Sequence, residues 1–89
     1  MKVLIPTAFR KHTDGQAEIS FAATSVREAL DQLVERFPEL EASLFDESRS
    51  VASFVNVFVN EENIRDLNQE STALGESDEV LLVPAIAGG

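Results

Sequence analysis

The sequence predicts an α+β domain, with a mixed sheet of four to five strands packed on one main helix. Three observations predict it. Val26, Ala29, Leu30, Leu33, Val34 and Phe37 recur at helical spacing and form one apolar stripe. Phe54-Val55-Asn56-Val57-Phe58-Val59-Asn60 alternates with the period of a strand. Short apolar runs, Met1–Pro6 and Val80–Val83, lie at either end of the chain. A helix with one apolar face needs a sheet to cover it, which gives two layers.

Met1 to Pro6 sets Val3 and Ile5 against Leu4 and reads as a first strand. Thr13-Asp14-Gly15 is a turn signal. Ala17, Ile19 and Phe21 then alternate with Gln16, Glu18 and Ser20, so a second strand closes a hairpin through a long Thr7–Gly15 connection. Ser25, with Glu28 three residues on, reads as a capping box at the helix start, and Thr24 competes for the cap. The helix is expected to stop at Phe37, before Pro38. Leu40, Leu44 and Phe45 suggest a short second helical turn over the core, and Asp46 to Ser53 reads as a polar, mobile loop. In the alternating strand, Val55, Val57 and Val59 are expected against the helix, leaving Phe54, Asn56 and Phe58 on the opposite face. Asn60–Asn63 is a turn, Ile64-Arg65 a short strand, and Leu67 and Leu74 plug the core from a loop. Gly75–Asp78 turns into the last strand, Glu79 to Val83, which Pro84 breaks. One arrangement with this element order places the first and last strands parallel at the centre of the sheet. This is the β-grasp, or ubiquitin-like, fold; periodicity alone leaves the strand order open.

Eighty-nine residues make one domain. The chain has no cysteine, which excludes disulfides, thiolate metal sites and iron–sulfur clusters. It cannot carry a persulfide, so any sulfur it handles must ride on the C-terminal carboxylate. The net charge of −9 argues against nucleic acid and favours basic protein surfaces. No apolar run is long enough to span a membrane, and that of Met1–Pro6 is too short for a secretory signal, so the cytoplasm is the expected location. His12 has no second histidine or cysteine for a metal site and reads as a solvated loop residue. No nucleophile–base pair or phosphate loop is present.

The chain closes on Val83-Pro84-Ala85-Ile86-Ala87-Gly88-Gly89. Two glycines leave no side chain beside the α-carboxylate, so a narrow channel can close around it. The expected division is a folded domain over residues 1–84 and a flexible tail over 85–89, with the Gly89 carboxylate as the reactive group. Those five tail residues span at most about 16–18 Å when extended. Ala87 and Gly88 keep the tail slim, and Pro84 fixes its direction. Ile86 either anchors in a partner's channel or folds back on the sheet. Phe54 and Phe58 are candidates for a docking face; the alternative is a minor second core. Arg10, Lys11 and Arg65 are possible contributors to docking.

Three stretches carry a resemblance. They are the helix start Thr24-Ser25-Val26, the Phe54–Asn60 strand and the ending Val83–Gly89. Along nearly its whole length the chain resembles the MoaD/ThiS-type ubiquitin-like sulfur carriers. Val59–Arg65 and the Asp46–Ser53 loop look most like the branch that includes the actinobacterial carrier for cysteine biosynthesis, with the molybdopterin-synthase small subunit second. One departure is Glu61-Glu62, where many relatives have a glycine, which leaves the turn type open. The resemblance implies a carrier and not an enzyme. It holds no cofactor; an E1-like, MoeB/ThiF-type adenylyltransferase spends ATP to adenylate Gly89. A sulfurtransferase or sulfide source then converts the adenylate to a thiocarboxylate. The sulfur passes to an accepting enzyme, a cysteine synthase homologue or a molybdopterin-synthase large subunit. Two other readings stay open: a ubiquitin-like modifier joined to lysines through Gly89, and a non-catalytic interaction module.

Overall fold

The computed structural model of the chain describes residues 1–84. Seven regular elements make two layers: strands β1 (Lys2–Leu4) and β2 (Glu18–Ser20), helices α1 (Val26–Arg36) and α2 (Glu41–Leu44), and strands β3 (Val55–Val59), β4 (Glu62–Asn63) and β5 (Glu79–Pro84). The sheet order is β2-β1-β5-β3-β4. β1 and β5 pair in parallel at the centre, and the other pairs are antiparallel. This is the β-grasp order that periodicity had left open.

The core lies between α1 and one face of the sheet. Val26, Ala29, Leu30 and Leu33 of α1 are fully buried. They meet Val3 of β1, Ile19 of β2, Val55, Val57 and Val59 of β3, and Val80 and Leu82 of β5, all buried. Val34 and Phe37 are half-buried at the margin of the same cluster. Leu40, Leu44 and Phe45 close one end of the core from a 3₁₀ turn (Pro38–Leu40) and α2. Leu74 is buried and Leu67 half-buried, as loop plugs.

At the start of α1, Ser25 Oγ accepts from the Glu28 N–H at 3.2 Å. The Glu28 carboxylate reaches one residue further out than a capping box requires. It accepts from the Thr24 N–H and the Thr24 hydroxyl, both at 3.2 Å. Thr24 and Ser25 therefore share the cap. Phe37 ends the helix, donating its N–H to the Leu33 carbonyl at 2.8 Å, before Pro38.

Five local features differ from the sequence reading. The Thr7–Gly15 connection contains a 3₁₀ helix, Thr7–His12, that buries Phe9. Behind it Thr13 is fully buried, its hydroxyl proton shared between the carbonyls of Arg10 (3.3 Å) and Gln16 (3.0 Å). His12 is not simply solvated; its Nδ1 lies 3.0 Å from a Glu39 carboxylate oxygen. The short strand after β3 is Glu62–Asn63, not Ile64-Arg65, which belongs to a 3₁₀ turn. The connecting loop is only Asn60-Glu61, both at positive φ (49° and 77°), as a two-residue type I′ hairpin turn requires. Asp46–Ser53 is tied down rather than loose. Asp46 Oδ1 accepts from the Ser48 and Ser50 N–H groups at 2.8 and 3.2 Å, and the Ala52 N–H donates to Leu44 at 2.8 Å. Last, Pro84 does not break β5 but belongs to it, paired with Val55. Proline is tolerated at a strand end because little of the ladder there depends on its missing N–H.

Candidate functional site: the open sheet face and the end of β5

Register decides which side chains share the sheet face away from α1. Leu81 of β5 pairs with Leu4 of β1 on one side and Phe58 of β3 on the other. These three apolar residues form a row across the sheet. Val83 pairs with Asn56 in the next row towards the end of β5. Leu81 is 39% exposed, and Leu4, Phe58 and Val83 are half-buried. In the opposite direction the face becomes charged, with Lys2 Nζ lying 3.6 Å from Glu18 and 3.9 Å from Glu79. The face is therefore apolar towards the point where the chain continues past Pro84.

Phe58 stands on this face as the alternation predicts. Phe54 does not belong to the row. It lies in the turn before β3, is 48% exposed, and borders a groove with Pro38, Ala42, Phe45 and Asp46. Pro84 sits half-buried at the end of β5. Ile86, Ala87, Gly88 and Gly89 lie outside the described residues. Two of the cations considered for docking have local tasks. Arg10 Nε donates to the Ile5 carbonyl at 3.1 Å, and Arg65 donates to the Ser53 carbonyl at 3.4 Å. Lys11 is exposed. Leu4 and Leu81 escaped the sequence reading as docking residues. An unbroken run such as Val80-Leu81-Leu82-Val83 does not reveal which residues face out. The signal for Leu4 was present, because Val3 and Ile5 on either side of it are core residues.

Electrostatics at the margins are structural. Asp78, just before β5, has its carboxyl held below the usual range, first by the Gly75 N–H (2.7 Å) and then by the Asn60 amide (2.7 Å). The Arg27 guanidinium is pushed above its ordinary value, chiefly by its hydrogen bond to Glu70 at 2.7 Å and with help from Asp31, against the opposing effect of burial. Among the described residues no group of three or more metal-ligating side chains occurs, and no helix is long and apolar enough to cross a membrane.

The profile of the ThiS family matches residues 3–89. The chain belongs to the ThiS family. Within the family it is a CysO-like protein. It is 34% identical to the sulfur carrier protein CysO of Mycobacterium tuberculosis (strain H37Rv), over 98% of this chain and 96% of that one. It superposes with a TM-score of 0.90, at 32% identity, on a chain of the Amycolatopsis orientalis BexX/CysO complex, covering 99% of this chain and 98% of the other. The small archaeal modifier protein 1 of Methanosarcina acetivorans matches with a TM-score of 0.86 and 29% identity, over 99% of this chain and 94% of its own. The ThiS-type relatives are carriers, not enzymes, so the parts that matter are those that present a terminus and those that dock.

Proposed function

We propose that this chain is a sulfur carrier for biosynthesis whose working group is the Gly89 carboxylate. The observation that carries the reading is the 34% identity to a sulfur carrier along practically the whole chain. The geometry supports it. β5 pairs with β1 over Glu79–Leu81 and with β3 as far as Pro84, so the pairing of Pro84 with Val55 fixes where the strand delivers the chain, and the apolar row on the open face leads towards it. Residues 1–84 act as the presenting body, and 85–89 as the reaching tail.

A carboxylate resists nucleophiles because it is already anionic. An E1-like adenylating enzyme removes that resistance. A Gly89 carboxylate oxygen attacks the α-phosphorus of ATP, and pyrophosphate leaves. A sulfide sulfur then attacks the carbonyl carbon, AMP leaves, the sulfur gives up its proton to water, and the C-terminus becomes a thiocarboxylate. With no cysteine in the chain, this terminus is the place where a transferable sulfur can sit. The CysO likeness favours a cysteine synthase homologue as acceptor over a molybdopterin-synthase large subunit. The cytoplasm is the place of work that this reading expects.

The test is intact mass. Incubation with the adenylating enzyme, ATP and sulfide is expected to add the mass difference between one sulfur and one oxygen. No shift, with the enzyme shown to be active on another carrier, overturns the proposal. The likeness to an archaeal modifier favours a second reading, in which activated Gly89 is attacked by a lysine of a target protein. That reading predicts Gly-Gly remnants on lysines in digests of cells producing the protein; their absence removes it.

A further inference from the structure

The open face and the end of β5 leave one exposed aromatic unexplained. Phe54 precedes Val55, and Val55 pairs with Pro84. The groove that Phe54 borders therefore opens at the end of the sheet where the chain passes on to residue 85. Its volume is about 660 Å³, and Pro38, Ala42 and Phe54 give it an exposed apolar lining. Phe45 contributes less free surface, because Arg27 stacks on its ring at 4.6 Å and Arg49 lies at 5.8 Å.

The rim is acidic: Glu39, Glu41, Asp46 and Glu47. Glu41 is paired with Arg49 at 2.7 Å, and Glu39 is bonded to His12. Asp46 receives two backbone N–H groups that leave its charge in place. Glu47 has no hydrogen-bond or ion-pair partner among the described residues. Arg49 offsets one charge, and the rim stays negative. An apolar floor under a negative rim fits an arginine or lysine whose aliphatic stem lies on the floor and whose head meets the carboxylates. The chain's own C-terminal carboxylate has the same sign as the rim and is repelled by it.

We propose that the groove between Phe54 and the Pro38–Glu47 segment docks a basic segment of the adenylating enzyme, beside the point where the tail enters that enzyme. This rests on the carrier reading above. The occupant is a protein segment with at least one cation, held where two contacts, tail and groove, fix the approach of the terminus.

The test is ATP–pyrophosphate exchange by the E1-like adenylating enzyme from the same genome, as a function of carrier concentration. Three full-length variants are compared: Glu39→Lys/Glu47→Lys, Phe54→Ala, and a control of equal charge change, Glu61→Lys/Glu62→Lys, at the other end of β3. The first two are expected to raise KM about tenfold with kcat unchanged. The defect of the charge variant should shrink as salt is raised, and that of Phe54→Ala should not. The control should stay near wild type. All substituted side chains are exposed, and matching thermal melts verify the fold. Wild-type KM in the first two variants overturns the proposal. An equal rise in the control overturns it in favour of a general charge effect. A lower KM for Phe54→Ala overturns it in favour of the chain's own tail as occupant. A wild-type protein that supports no exchange sinks the carrier reading itself, and the groove proposal with it.

Discussion

Glu61 sits at φ 77°, a conformation that costs a side-chain-bearing residue about 1–2 kcal/mol. Glu61→Gly relieves that cost but adds freedom to the unfolded chain, so the expected net gain is about 0.5 kcal/mol. A thermal melt should show it as a rise of about 2–4 °C. Asn60, beside it at φ 49°, should respond in the opposite way. Its side-chain Nδ2 donates to Asp78 at 2.7 Å and its side-chain Oδ1 accepts from the Glu79 N–H at 3.0 Å. Asn60→Gly therefore loses about 0.5–1 kcal/mol. Asp78 adds a pH dependence. Its carboxylate is favoured by the fold, so the unfolded chain takes up the proton first as pH falls. The contribution is complete above the unfolded value of about 4 and is lost as pH falls through the lower folded value. Asp78→Asn should flatten that acid limb, measured as urea midpoints from neutral pH down to about pH 3.

Arg27 shows how one side chain ties elements together. From α1 it bonds Glu70, the Arg49 carbonyl and Asp31, and it lies over Phe45. Glu70 in turn accepts from the Val51 N–H at 3.1 Å, so helix, Asp46–Val51 loop and Gln69–Ser71 turn meet at one guanidinium. Arg27→Met should cost about 1–2 kcal/mol in urea unfolding, a range set low because the side chain is partly solvated. Arg27→Lys should recover less than half, since one ammonium cannot span those acceptors. Only the Asp31 contact, one helical turn away, is of a kind the sequence can show; the rest of the network was not legible, because Arg49 and Glu70 are 22 and 43 residues from Arg27. α1 and β3 were legible, since their periods of 3.6 and 2 run through enough residues to be read. β4 was misplaced by two residues, because nothing in Asn60-Glu61 announces that a glutamate will accept positive φ. The Thr7–His12 helix is too short for any period to show. At the site, parity identified Phe58, while only strand register could join Leu4 and Leu81 to it.

At the scale of the molecule, β5 serves the fold with one face and a partner with the other. Leu82 is fully buried between sheet and helix, and Leu81, its neighbour, points into the open row beside Leu4 and Phe58. Leu82→Ala removes atoms from a small, close-packed core and should cost about 2–5 kcal/mol. For a domain whose total stability is about 5–15 kcal/mol, and for this short chain near the lower end, that is enough to leave much of it unfolded at 37 °C, which circular dichroism will show. Leu81→Ala should change stability by less than about 1 kcal/mol. If the open row docks the adenylating enzyme, the same change should raise KM for the carrier in pyrophosphate exchange while leaving kcat alone, because it touches binding and not the Gly89 carbonyl. A Leu81→Ala protein that folds, melts like wild type and keeps the wild-type KM would show that the row is not the docking face, and that the body steers its terminus by another surface.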